Sequence, residues 1–143
     1  MTTSKSLWVV YDYEVEMFTH MRNILMTSAS KTYEPLIVNA IVESMLLHLR
    51  ILTEILISKD GGPDQDNIKL TDLLPKFESR RVGDLKTEYG THKTEGSPCW
   101  TLNKMLAHPS SRRSSSHDYT QVLNILVPCI LPLLGEVHNA REP

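Results

Sequence analysis

The chain has 143 residues, 41% hydrophobic and 22% charged, which suffices for one domain (1–143) with its own core and is too little for two. No run of 18 or more uninterrupted apolar residues occurs, and MTTSKSLWVVYDYE reaches acidic groups too early for a signal peptide. A soluble, cytoplasmic protein with no membrane partner is expected.

Cys99 and Cys129 have no CxxC spacing and no disulfide framework around them, which fits reduced, buried thiols. The formal net charge of -2 is unevenly spread. Residues 1–75 hold six Lys/Arg against ten Asp/Glu, residues 76–117 eight against four, and the remainder one against three. The middle segment is therefore the basic one. It suits a phosphate-bearing partner, although a solvated loop carries the same charge without one.

Four stretches show helical periodicity and none alternates convincingly as a strand. In the first, Leu7, Tyr11, Phe18, Met21 and Leu25 recur at steps of three, four or seven, interrupted at Glu14, which predicts a helix to about Met26. Its WVVY start is equally compatible with a strand. SASKTYEP then makes a turn in which Thr32 can accept from the free amides of the next helix and Pro35 fits the first turn.

The second helix should run to about Ser58. It is apolar around most of its circumference, which predicts deep burial. Glu43, Arg50 and Glu54 share one stripe, either a surface ion-pair row or, for Glu43 and Arg50, the lining of a polar cleft. His48 falls among Ser44, Ile51, Leu52 and Ile55, so a buried imidazole satisfied by hydrogen bonds is expected.

Residues 59–97 carry five of the six glycines and read as a long connection, with Ile68, Leu70, Leu73, Leu74 and Phe77 able to fasten it through a short helix. DQDNIKLTD lacks the glycine and distal glutamate that a calcium loop requires at their places. Ser97 and Pro98 form a helix start, a hydroxyl cap followed by a ring with fixed φ. In the third helix Cys99, Leu102, Met105 and Leu106 make the apolar face, and Thr101, Lys104 and His108 another. Pro109 ends it at His108, where the imidazole could simply cap carbonyls.

After PSSRRSSS, Ser116 or Asp118 can cap a fourth helix whose buried stripe is Tyr119, Val122, Leu123, Leu126, Ile130, Leu133 and Leu134. Pro128 and Pro132 predict a kink or break near Asn124 to Pro128, and GEVHNAREP a frayed tail. The expected fold is all-α, a four-helix up-and-down bundle with a long connection between helices two and three.

The segments NAIVESMLLHLRILTEIL and LNKMLAH resemble corresponding parts of the HEPN superfamily, small helical bundles with a long second helix and a histidine-bearing motif in a later one. The resemblance covers the helical parts of most of the chain. It implies a homodimer that brings two motif histidines together, with RNA or a nucleotide as ligand. Many members are metal-independent ribonucleases in toxin–antitoxin, phage-defence and RNA-processing systems, where a cognate antitoxin is a further partner. Others are nonenzymatic binding modules.

The family motif is an arginine, then four to six residues, then a histidine. The stretch from Asn103 to His108 matches that spacing with asparagine in the arginine's place. Cleavage by attack of a 2′-hydroxyl on its own phosphate needs a base, an acid and a cation. His108 is the expected catalytic residue, with Asn103 and Lys104 beside it. Lys104, Arg112 and Arg113 are the expected phosphate partners. No P-loop, GxGxxG, HExxH or nucleophile elbow occurs, Cys99, His108 and His117 are poorly spaced for a metal, and no metal or cofactor is expected.

Overall fold

The computed structural model of the chain describes residues 4–27, 31–58, 67–107 and 119–141. All regular elements among the described residues are helical. They are α1 (Ser4–Met26), α2 (Pro35–Ile57), α3 (Leu70–Leu73), α4 (Arg80–Tyr89), α5 (Pro98–Leu102), which passes directly into a π-helical turn at Asn103–Ala107, and α6 (Thr120–Ala140). The chain divides into two compact units, Met1–Leu52 and Thr53–Pro143, with the boundary inside α2.

In the first unit the ambiguous WVVY start is helical, since α1 begins at Ser4. Tyr11, Glu14 and Phe18 are its buried positions, and the Trp8 ring meets Tyr11 edge-on at 5.3 Å. Pro35 opens α2, where no amide partner is lost. The Glu34 carbonyl accepts from Ile37 and Val38 at 2.9 and 3.1 Å, starting the helical ladder. Burial on α2 is concentrated in its second half. Met45, Leu46, His48, Leu49 and Leu52 are buried, and no residue from Pro35 to Ser44 is.

Within 59–97 lie α3, the short helix expected there, where Leu70 and Leu73 are buried, and the ten-residue α4, which the expected long connection did not include. The α4 sequence RRVGDLKTEY hides its period because only Val82, Leu85 and Tyr89 are apolar or aromatic, and Gly83 lowers intrinsic helicity by about 1 kcal/mol. Leu85 and Tyr89, one turn apart, are buried and supply the packing that propensity lacks. The Ser79 hydroxyl caps α4 by accepting from Arg81 N at 3.2 Å and donates to Glu136 Oε2 of α6 at 2.6 Å. Arg81 Nε lies 3.5 Å from Glu136 Oε1, so one carboxylate clamps the start of α4 to the end of α6.

Three further expectations change. Helix α6 runs unbroken through Pro128 and Pro132. Both prolines are on its exposed face, where water can take the carbonyls of Asn124 and Pro128 that lose their amide partners. The tail is helical to Ala140, because Val137 is fully buried one turn beyond Leu133 and anchors it. Thr101, expected off the apolar face of α5, on the face of Lys104 and His108, is buried. Ser116 and Asp118, the expected caps of α6, lie outside the described residues; Tyr119 occupies the cap position without a side-chain cap bond.

By length and composition α6 could cross a membrane. Its apolar stripe Val122, Leu126, Ile130, Leu133 and Val137 is buried, and 28% of the apolar window is buried in all.

The turn into α5 is tight. Gly90 has φ of 73°, and a Cβ there would sit 2.6 Å from Ser97 Cβ. Ser97 Oγ accepts from Trp100 N at 3.2 Å and donates to the Thr91 carbonyl at 2.9 Å, so one hydroxyl caps α5 and closes the preceding loop. Ser97→Ala should lower stability by about 1 kcal/mol. Gly90→Ala should cost about 2 kcal/mol or more, because it adds left-handed strain to the close approach. Urea denaturation of both variants measures the ordering, and a Gly90→Ala chain as stable as the parent would contradict this loop geometry.

Candidate functional site

The residues of the expected site arise from the end of α5. The Ser97 cap and Pro98 start the helix in the α conformation, and Leu102, fully buried, holds it in the second unit. The next five residues, Asn103–Ala107, form the π-helical turn. An α-helix closes rings from i to i+4, whereas a π-turn closes them from i to i+5. The turn is therefore wider than an α-turn. Asn103 and Lys104 are half-buried, consecutive residues at its start.

His108, Arg112 and Arg113 lie outside the described residues. Of the expected site, the structure thus places Asn103 and Lys104 together on the π-turn. Glu43 and Arg50 are on α2 in the first unit, exposed and half-buried respectively. Glu54, third in that row, accepts from the Tyr89 hydroxyl at 3.2 Å within the second unit. Among the described residues no group of three or more His, Cys, Asp or Glu is arranged to hold a metal ion.

A polar pair escaped the sequence reading as a pair. His48 Nδ1 lies 2.5 Å from Glu14 Oε2, with both side chains nearly buried, and the Tyr13 ring stands edge-on to the imidazole at 5.7 Å. The sequence identifies His48 as a buried, hydrogen-bonded imidazole and Glu14 as a break in the α1 stripe. Each is the other's explanation, since a carboxylate in an apolar stripe requires a buried donor. The signal was two polar interruptions on two adjacent apolar helices.

Elsewhere on α1 a shallow open cleft of about 320 Å³ is lined by Asp12, Val15, Glu16, Thr19, His20 and Asn23. Its two carboxylates disfavour a phosphate ligand. Cys129 is unsuited to nucleophilic work: partial burial pushes its thiol up from the ordinary value, and the Glu88 and Asp84 carboxylates raise it further.

Comparison with known proteins adds no relative: no family model matches the chain, and no curated protein or solved structure matches it.

Two outcomes follow from these side chains. Glu14→Leu or His48→Leu alone should each cost about 1–3 kcal/mol, because the remaining partner stays buried and unsatisfied. The double variant should recover part of that loss, and a denaturation cycle returning zero coupling would remove the pair from the stability of the first unit. For Cys129, a raised pKa means less thiolate at a given pH. In a Cys99→Ser background its alkylation by iodoacetamide should rise at higher pH than that of a free thiol, and Glu88→Gln with Asp84→Asn should shift the rise downward.

Proposed function

We propose that this chain is a HEPN-like protein that handles RNA or a nucleotide as a homodimer, with its long helices arranged as the up-and-down bundle of that superfamily. The working surface is the stretch from Asn103 to Arg113. The observation that supports this reading is the π-helical turn at Asn103–Ala107, immediately before His108. Such turns are rare and recur at functional sites. The basic balance of 76–117, eight Lys/Arg against four Asp/Glu, supports an anionic ligand.

In the enzymatic form of the proposal the chain is a metal-independent ribonuclease toxin of a toxin–antitoxin or phage-defence system, held in check by a cognate antitoxin. His108 from each of two copies takes the roles of base and acid. The base removes the 2′-hydroxyl proton as that oxygen attacks the adjacent phosphorus, and the acid protonates the departing 5′-oxygen. Lys104, with Arg112 and Arg113, offsets the charge that grows on the phosphoryl oxygens. Asn103 donates a hydrogen bond there but brings no charge. That residue favours the second reading, a catalytically inactive HEPN-like binding or assembly module.

Cleavage of a mixed RNA panel in EDTA separates the two. In the enzymatic form His108→Ala lowers the rate by about 10² to 10⁴ with the fold intact. Asn103→Arg raises it, since a fixed planar cation is returned beside the phosphate. A folded parent and a folded Asn103→Arg variant that are both inert leave the binding module. In either form, replacing Lys104, Arg112 and Arg113 together with alanine should weaken RNA binding and flatten its salt dependence. Unchanged affinity in that variant would overturn the RNA assignment.

A further inference from the structure

Helix α5 has a buried side and an outward side. At about 100° per residue, the buried residues Pro98, Thr101 and Leu102 fall on one half of its circumference and Trp100 on the other. Asn103 and Lys104 follow Trp100 by one turn and lie to either side of it. All three are half-buried. A tryptophan that only filled the core would share the side of Leu102, since indoles are highly buried on average. Here the largest apolar side chain of the helix is turned toward the residues of the proposed site instead.

The backbone under the ring is fixed at both ends. Trp100 N donates to Ser97 Oγ at 3.2 Å, and the Trp100 carbonyl, with that of Cys99, accepts from the Asn103 amide. An indole carried on such a backbone offers a large, rigid contact area at little cost in conformational entropy. Beyond it stands Lys104, and among the described residues no carboxylate pairs with that ammonium. A flat aromatic ring and a cation are thus one turn apart on one face. A nucleotide displays the complementary pair, a base with a π-face and an anionic phosphate.

The helix also decides between paired and unpaired bases. A-form duplex RNA keeps its bases in a deep, narrow major groove that side chains cannot read, so a ring on the flank of an α-helix has no access to them there. In a single strand the bases can be splayed out and stacked on an aromatic side chain.

We infer that Trp100 is a stacking platform for an unpaired nucleobase whose phosphate is held at Lys104. The ligand of this surface is then a single strand rather than a duplex. The inference rests on the proposed function, to which it adds a base-binding residue outside the Asn103–His108 stretch, and it does not depend on whether the strand is cleaved.

The chain has two tryptophans, Trp8 and Trp100. In a Trp8→Phe background all indole emission comes from Trp100, and a base stacked on the ring quenches it. The probe is a 2′-O-methyl oligoadenylate of about sixteen nucleotides, which lacks the attacking hydroxyl and survives any cleavage. The same strand annealed to its complement and free AMP are the comparisons, with circular dichroism as the check on folding. The single strand should quench the emission and bind about tenfold or more tighter than either comparison. Anisotropy of an end-labelled strand then reads the ring variants. Trp100→Phe keeps a π-face and should keep most of the affinity; Trp100→Leu keeps only apolar bulk and should lose about tenfold.

A single strand that binds without quenching, or that binds a folded Trp100→Leu chain as tightly as the parent, overturns the platform and leaves the proposed function standing. Should Trp100→Leu not fold, the quench in the Trp8→Phe chain decides alone. Equal quenching by the duplex, or saturation by AMP at the concentrations used for the strand, overturns the single-strand assignment. A parent that binds none of the three probes overturns this inference together with the proposed function.

Discussion

The hydrogen bond between Glu14 and His48 is the constraint on which the first unit turns. Neither group can be buried alone, because a carboxylate or imidazole withdrawn from water without a partner costs more than the apolar surface around it returns. Once the two meet, the register between α1 and α2 is set at one point. Tyr11 and Phe18 lie three and four residues to either side of Glu14, and Leu49 and Leu52 follow His48, so in each helix the bonded residue sits within a run of buried positions. A purely apolar seam between two such helices would tolerate sliding by a turn. A single buried polar contact does not, which is the specifying use of polarity best attested in helical assemblies.

In the second unit the equivalent role is divided between Ser97 and Glu136. Ser97 is acceptor for α5 and donor to the loop before it, and Gly90 must remain without a side chain for that approach to occur. Glu136 receives both the Ser79 hydroxyl and the Arg81 guanidinium. Between them these residues hold α4, α5 and α6 together at their ends, while Leu85, Leu102, Leu126 and Leu133 fill the interior. The π-turn begins where this scaffold stops, one residue past Leu102.

The sequence made α1, α2 and α6 legible because each carries a long stripe at the helical period, and the Ser97-Pro98 start because a cap followed by proline has a direct mechanism. It hid α4, whose ten residues carry little apolar surface and a central glycine, and whose stability comes from the burial of Leu85 and Tyr89. It also misled at α6. The rule that an internal proline breaks a helix assumes that the freed carbonyls are buried, and here Pro128 and Pro132 lie outside. Of the candidate site, the sequence placed Asn103 and Lys104 in the helix that starts at Pro98, directly after which the structure has them. The π-turn was not legible, because no residue pattern distinguishes a turn of five from a turn of four before the surroundings impose it. The Glu14–His48 pair was half legible: each residue declared itself as an anomaly, and only the folding of α1 beside α2 could join them.

The clamp at Glu136 also sets an order of events. Ser79 and Glu136 are 57 positions apart, and α4 packs on α6, while its Tyr89 hydroxyl also reaches Glu54 of α2. A chain emerging from a ribosome therefore makes α4 long before α6 exists for it to pack on. The entropy of closing so long a loop falls on the final step, with little local reward beforehand. Until Glu136 arrives, the start of α4 lacks its carboxylate clamp, and partly assembled helices of this kind are the species that chaperones hold.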